Sequence, residues 1–322
     1  MIPRRKFGQL DVEVSVVGFG AASLSGEAGG YSFGAMDDAQ ATDLITASLD
    51  AGINLFDTAP IYGFGESERR LGLGLRGRRD DVFIVSKCGI DYDDQKRAKI
   101  DNDPKTTTRM LSDSLRRLQT EFIDLYMVHW PDPETDIRYT MEALVRAQDE
   151  GKIKYIGLSN PAVPDLELAR EIGVVDAVQL EASFLQHGGL ASLRAQVDID
   201  QYGVMSWGTL AKGILAGTVN RSRSFEASDV RAHAPWWINT DHEPSYLLME
   251  QIEPILKDHD CSGLGLALGY LLNEGCVHSM LCGMKNRSQL TKIIDALSAL
   301  PSPELINHLI ELRSRLLTGN ET

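Results

Sequence analysis

Short β-branched runs and amphipathic stretches alternate along almost the whole chain, and this alternation limits the fold before any single residue is considered. Eight runs read as strands: residues 14–19, 53–56, 82–86, 123–128, 155–158, 175–180, 204–207 and 280–282. Helical periodicity marks the intervening segments 38–51, 105–118, 139–150, 163–171 and 190–197. A helix after each strand returns the chain to the same edge, so successive strands pair in parallel. Eight such units within 322 residues fit a closed (β/α)8 barrel of the α/β class better than an open doubly wound sheet. No linker, low-complexity tract or charge run divides the chain, so 1–322 is expected to be a single barrel domain. A last amphipathic helix from Pro303, with Leu305, Leu309, Leu312 and Leu316 on one stripe, is expected on the outside of the barrel. Besides this tail, 221–243 breaks the period; it is polar, contains Pro235, Trp236 and Trp237, and is long for a loop without function.

Composition excludes several classes of function. A content of 43% hydrophobic and 24% charged residues is that of an ordinary globular protein. No apolar run approaches the ~20 residues that span a bilayer. Arg4, Arg5 and Lys6 lead into mixed polar sequence rather than the apolar core of a signal peptide. The expected location is cytoplasmic, with no membrane partner. A formal charge of −14 argues against a nucleic-acid partner, yet a few local cations would suffice for a phosphorylated cofactor. The four cysteines form no C-x-x-C pair and the seven histidines no H-E-x-x-H, so buried reduced thiols and no metal site are expected. Gly72-Leu-Gly-Leu-Arg-Gly77 matches G-x-G-x-x-G, but it follows the helical stretch 66–71, whereas a dinucleotide fingerprint follows a strand. It reads as a glycine-rich helix end.

Active sites of such barrels lie at the carboxyl ends of the strands. The polar residues there are Asp57, Tyr62 in the next loop, Lys87, His129, Ser159, Asn160 and Gln179, with Trp207 ending the seventh run. Each alone has a bland explanation as a turn cap, a packing ring or a satisfied core group. Together they describe acid–base chemistry. A free tyrosine, with a pKa of ~10, is a poor acid near neutrality; an ammonium such as Lys87 beside it favours the phenolate and makes Tyr62 a better proton donor and acceptor. Asp57 would hold that lysine in place. His129 could donate a hydrogen bond to a substrate oxygen, so that Tyr62 and His129 would form a site for a developing alkoxide.

These residues lie in stretches that resemble the aldo-keto reductases. Asn54-Leu-Phe-Asp-Thr-Ala-Pro-Ile-Tyr-Gly63, continued by Gly65-Glu-Ser-Glu68 and Leu71-Gly72, is similar to the family signature around the catalytic Asp and Tyr. Val85-Ser-Lys-Cys88 and Asp124-Leu-Tyr-Met-Val-His129 resemble the strands that carry the lysine and the histidine. The likeness runs from Val14 to Gln289. It implies a nicotinamide-dependent oxidoreductase that moves a hydride between cofactor and a carbonyl or alcohol, with Asp57, Tyr62, Lys87 and His129 as its tetrad. Segments 17–22, 86–89 and 282–284 are similar to the aldose 1-dehydrogenase and L-galactose dehydrogenase branch, whereas 129–132 and 151–160 look like broader bacterial sugar and aldehyde reductases. A sugar, sugar derivative or aldehyde is the expected small-molecule substrate. Trp130, Trp236 and Trp237 are the expected substrate contacts.

The resemblance also implies a cofactor site: Gly20 and Ala21 at the first strand end, and Ser159, Asn160 and Gln179 on the nicotinamide carboxamide. Trp207 stands where a stacking tyrosine is usual. Gly208, Leu210 and Gly213 follow in the pyrophosphate loop, with Gly208-Thr209 in place of the family's Ser-Pro step. Gly283, Lys285, Arg287 and Gln289 would hold the adenosine end, although Ile293 replaces an expected asparagine. Lys285, with Arg287 nearby, favours NADP(H) through a 2′-phosphate; NAD(H) is the alternative. Among other classes, a barrel glycosidase lacks its second carboxylate, and a metal hydrolase would need more ligands than His129 alone. A regulatory barrel that binds nicotinamide nucleotide with little turnover keeps the same tetrad and is the remaining alternative.

Overall fold

The computed structural model describes residues 1–318, with side chains as far as Leu316; the last four residues of the expected 1–322 domain lie outside the described residues. The chain opens with a hairpin of β1 (Arg4–Lys6) and β2 (Glu13–Ser15). Then come β3 (Val17–Gly20), α1 (Asp38–Asp50), β4 (Leu55–Asp57), α2 (Glu66–Gly74), β5 (Phe83–Tyr92), β6 (Ala98–Asp101) and α3 (Pro104–Leu118). The middle of the chain forms β7 (Ile123–Val128), α4 (Ile137–Asp149), β8 (Ile153–Ser159), α5 (Val163–Arg170), β9 (Ala177–Glu181), α6 (Gly188–Arg194) and β10 (Gly203–Trp207). The remainder is α7 (Pro235–Ile238), α8 (Glu243–Asp258), α9 (Gly263–Asn273), β11 (Ser279–Cys282), α10 (Arg287–Ser298) and α11 (Pro303–Thr318).

Eight strands pair in parallel in the order β4-β3-β11-β10-β9-β8-β7-β5, and β5 returns to β4 to close the sheet. The fold is therefore a (β/α)8 barrel. Alternate side chains point to opposite faces of each strand. One set, including Leu55, Val85, Leu125, Met127, Ala177 and Met205, fills the barrel interior; the other meets the helices. Local sequence supports the helix starts. Asp37 accepts from the Gln40 amide at 2.7 Å, and the Gln40 side chain accepts from the Asp37 amide at 3.1 Å. Asp103 caps α3 just before Pro104. Each such cap contributes on the order of 1 kcal/mol.

The structure departs from the sequence reading at both ends of the barrel. The expected strand 14–19 is divided: Glu13–Ser15 pairs antiparallel with Arg4–Lys6, and Val17 begins the barrel strand. That hairpin carries Phe7 beneath the barrel, where it is fully buried and meets Phe83 edge-on at 5.6 Å. Gly8 permits this approach, because a Cβ there would lie 2.4 Å from the Gly203 amide nitrogen. At the opposite end β5 outruns the barrel and pairs antiparallel with β6, forming a rim hairpin. Gly72 and Gly74 lie inside α2 and Gly77 takes a positive φ beyond it, as expected of a helix end. α11 packs on α8 and α9, with Leu305, Ile306 and Leu309 buried. All four cysteines are free, three of them buried and Cys261 half-buried. Among the described residues, no helix is long and apolar enough to cross a membrane.

Candidate active site

Consecutive parallel strands deliver their ends to one mouth, and four groups on this chain meet there. Asp57 ends β4, and Lys87 lies on β5 with its side chain fully buried. The Lys87 Nζ donates to Asp57 Oδ1 at 2.6 Å and to the Thr58 carbonyl at 3.0 Å. Gln179, on β9, donates from Nε2 to the same Asp57 oxygen at 2.8 Å. Lys87 Nζ lies 5.5 Å from the centroid of the Tyr62 ring, and the Tyr62 and His129 rings meet edge-on at 5.9 Å. The His129 backbone is fixed by its amide, which donates to the Cys88 carbonyl at 2.9 Å.

Electrostatics here differ from the sequence expectation in one respect. Burial, followed by the Asp57 charge and then Tyr31, pushes the Tyr62 hydroxyl well above the ordinary phenol range. The phenolate-favouring effect expected of Lys87 is outweighed by burial and by the Asp57 carboxylate against which the ammonium sits. Burial lowers Lys87, and Asp57 opposes that fall. Burial and the Lys87 charge hold His129 well below its usual value, so the imidazole is neutral at physiological pH. A protonated phenol and a neutral imidazole can both donate hydrogen bonds to one oxygen.

Next to this group lies an amide and hydroxyl cluster. Asn160 takes a left-handed conformation with φ of 54°. Its Nδ2 donates to Ser159 Oγ at 3.0 Å, and its Oδ1 accepts from the Trp207 indole at 2.8 Å. Beyond Trp207 the backbone turns sharply: Gly208, Ala211, Lys212 and Gly213 all have positive φ, with Leu210 packed against the core. Gly20 and Gly283 close the opposite side, where a Cβ on Gly20 would lie 3.3 Å from the Gly283 nitrogen. The Ala21 carbonyl accepts from Ser67 Oγ at 2.7 Å.

Farther along, Lys285 Nζ donates to the Phe33 carbonyl at 2.8 Å. Burial lowers its pKa, and Asp229, Arg231 and Arg223 act on it electrostatically. Gln289 Oε1 accepts from the Lys285 amide at 2.7 Å. Arg287 is turned away from Lys285 and paired with Asp43 at 2.5 Å. Ile293 is buried in the core at 2% exposure, so that helix position faces the barrel.

The irregular segment 221–243 is ordered around short turns. The Val230 amide donates to the Ser32 carbonyl at 2.8 Å, Ser32 Oγ donates to the Ser228 carbonyl at 2.7 Å, and Arg231 donates to the Lys212 carbonyl at 2.7 Å. This arrangement separates the two neighbouring tryptophans. Trp237 is 7% exposed, lies 3.9 Å from the His242 ring and meets Phe225 edge-on, so its ring packs against these neighbours. Trp236 stacks on Tyr31 with ring planes 5° apart, and Tyr31 meets Tyr62 edge-on at 6.3 Å. Trp130 is exposed on the rim, its carbonyl accepting from Asn102 at 3.0 Å.

Sequence reading left out Tyr31, Glu181, Lys212 and Arg231. Lys212 pairs with Glu181 and lies over the faces of Trp207 and Trp236 at 5.5 and 5.8 Å. A cation two residues from Leu210 was the available signal, but its direction depends on the left-handed backbone at 211 and 212.

The aldo/keto reductase family model matches residues 16–313. The chain belongs to the aldo/keto reductase family. This aldo/keto reductase is 30% identical over 282 residues to aldo-keto reductase YhdN from Bacillus subtilis, covering 87% of this chain and 84% of that one. It is 28% identical over 306 residues to the NADH-specific methylglyoxal reductase of Escherichia coli, covering 90% and 92% of the two chains. In structure it is similar to the glycerol dehydrogenase AKR11B4 from Gluconobacter oxydans, with a TM-score of 0.83, 27% identity, and coverage of 98% and 96%. It is thus an NAD(P)-dependent oxidoreductase of carbonyl compounds.

Proposed function

We propose that this reductase interconverts a carbonyl and an alcohol on a sugar, sugar derivative or small aldehyde, with Tyr62 as the general acid and base. The observation that carries the reading is the convergence of Asp57, Lys87, Tyr62 and His129 at one strand-end mouth. Tyr62 gives its proton to the carbonyl oxygen in reduction and recovers it in oxidation. His129, held neutral, orients that oxygen by a hydrogen bond. Lys87, fixed by Asp57, stabilises the negative charge on Tyr62 after the proton has left.

The donor set suits a nicotinamide nucleotide. Trp207 offers a flat half-buried ring, Ser159, Asn160 and Gln179 offer hydroxyl and amide groups beside it, and Lys285 and Arg231 supply cations farther out. Gly208, Leu210 and Gly213 would line its phosphates, and Gly20, Ala21, Gly283 and Gln289 its remaining edge. The bound cofactor supplies or accepts the hydride. We favour NADP(H) over NAD(H), on the half-buried Lys285 ammonium, while the NADH-specific relative makes that preference worth testing directly. Trp130, Trp236 and Tyr31 would border the substrate, and flat apolar faces suit a sugar ring or an aldehyde's carbon chain.

The decisive experiment follows NADPH and NADH consumption with aldoses, keto-sugars and small aldehydes, comparing the native protein with Tyr62→Phe. Turnover by the native protein, reduced at least ~10²-fold in Tyr62→Phe with cofactor binding retained, supports the reading. Equal turnover by both proteins refutes it. No turnover by the native protein on any substrate leaves the nucleotide-binding regulatory barrel instead.

A further inference from the structure

Glu68 is a fully buried carboxylate on α2, on the helix-facing side of the strand that carries Lys87. Side chains alternate along β5, so Lys87 points into the barrel and its neighbour Ser86 points outward. Ser86 Oγ donates to Glu68 Oε1 at 2.6 Å. The other carboxylate oxygen accepts from Arg117 Nε, on α3, also at 2.6 Å. Backbone requirements nearby protect this contact. A Cβ on Gly65, which has φ of 93°, would lie 2.6 Å from the Arg117 side chain, and one on Gly72 would lie 2.5 Å from the Leu118 carbonyl oxygen. Close α2–α3 packing and the Glu68–Arg117 pair therefore depend on the same glycines, which gives the segment from Gly65 to Gly72 a physical purpose.

The same helix begins four residues after Tyr62, and Ser67 binds it to both Thr58 at 2.9 Å and the Ala21 carbonyl at 2.7 Å. Thr58 in turn accepts from Lys87 through its carbonyl. We propose that Glu68 is a positioning residue, which clamps the Tyr62 loop to the Lys87 strand and places a counter-charge behind the Lys87 ammonium. The inference rests on the roles proposed above for Tyr62 and Lys87.

Asp57 faces Lys87 from β4, Tyr62 from its loop and His129 from the end of β7, while Glu68 lies on α2 behind the β5 backbone, paired with Arg117. Within this set Glu68, like Asp57, favours the charged lysine. Removing its charge leaves Arg117 uncompensated, and both changes lower the pH at which Lys87 loses its proton.

The test compares kcat–pH profiles for carbonyl reduction, together with melting temperature and cofactor affinity, in Glu68→Gln, Glu68→Asp and Tyr62→Phe. Glu68→Gln keeps one acceptor oxygen for Ser86 but loses the charge and the second acceptor that meets Arg117. Its kcat is expected to fall roughly ten- to hundredfold with KM nearly unchanged, the scale of a small misplacement of reacting groups. The basic limb of its profile should move to lower pH by at least about half a unit, and Glu68→Asp should restore part of that shift. If Glu68→Gln does not fold, the double variant Glu68→Gln/Arg117→Met removes the unpaired buried charge, and its basic limb must move in the same direction. A lowered melting temperature with kcat and pH profile unchanged would make Glu68 a packing residue and overturn the proposal. Should Tyr62→Phe keep full turnover, the underlying catalytic reading fails; should only Tyr62→Phe lose turnover, this inference fails alone.

Discussion

Replacing Asp57 by asparagine tests how the buried ion pair is balanced. In the native protein Lys87 is fully buried and its ammonium has two partners, Asp57 Oδ1 at 2.6 Å and the Thr58 carbonyl at 3.0 Å. Asparagine keeps the shape and can still accept from Gln179, but it removes the charge. Breaking a buried pair from one side typically costs ~3–5 kcal/mol. The lysine can limit that cost by giving up its proton. An unfolded lysine titrates near ~10.4, so holding it neutral at pH 7 costs about 1.36 × 3.4, or roughly 4.6 kcal/mol. This sets a ceiling within the same range. The pH dependence follows from the sign: burial already lowers Lys87 in the folded state, and loss of Asp57 lowers it further. Between the folded and unfolded pKa values the unfolded chain binds more protons, so stability rises with pH by up to ~1.4 kcal/mol per unit. The Asp57→Asn deficit should therefore be ~3–5 kcal/mol at pH 7 and shrink steadily towards pH 10. Denaturant unfolding of both proteins at several pH values measures it. A deficit that stays constant with pH, or one under ~1 kcal/mol at pH 7, would refute the buried-pair argument.

Other predictions follow from the same geometry. Trp236→Ala removes a stack on Tyr31 of the kind worth ~0.5–1.5 kcal/mol; it should raise KM or alter substrate preference with cofactor affinity unchanged, whereas Trp237→Ala should chiefly lower the melting temperature. Lys285→Ala should weaken NADPH by about ten- to hundredfold, the value of one charge-assisted hydrogen bond, and leave NADH nearly unchanged in fluorescence titrations. Arg287→Ala should do much less, because that guanidinium already pairs with Asp43. Since Tyr62 is raised and His129 lowered, kcat/KM for reduction should show no inflection near the free-imidazole value of ~6.5, while alcohol oxidation, which needs Tyr62 unprotonated, should climb with pH. An inflection near pH 6.5 that disappears in a His129→Asn protein would show that the imidazolium takes part.

What could be read in the sequence, and what could not, divides by the range of the interactions involved. Asp57 and Tyr62 lie five residues apart around a single strand end, and Lys87 and His129 sit on apolar runs whose period marks them as strands. A barrel then brings all four to one mouth without further information. Arg4–Lys6 offered no such signal: three cationic residues show no apolar alternation, and their pairing with Glu13–Ser15 accompanies the long-range seating of Phe7 against Phe83. The same limit applies to Trp236 and Trp237. Adjacent residues on a helical turn point ~100° apart, so the two rings face different surroundings, and the positions of Phe225 and His242 decide that Trp237 is the buried one.

The state of Tyr62 shows a subtler limit. Sequence order placed a lysine beside a tyrosine and suggested a lowered pKa, yet a charge acts together with its counter-charge. Once Asp57 lies 2.6 Å from Lys87, its charge opposes that of the lysine at the phenol, and burial together with that carboxylate raises Tyr62. The resulting pair of neutral donors, phenol and imidazole, suits the reduction of a carbonyl, whose oxygen arrives uncharged and needs a proton only as negative charge develops on it. A phenolate standing ready beforehand would repel that charge. In the mechanism proposed above, the buried ion pair therefore has its greatest effect after proton transfer, when the Lys87 ammonium would stabilise the new phenolate without moving.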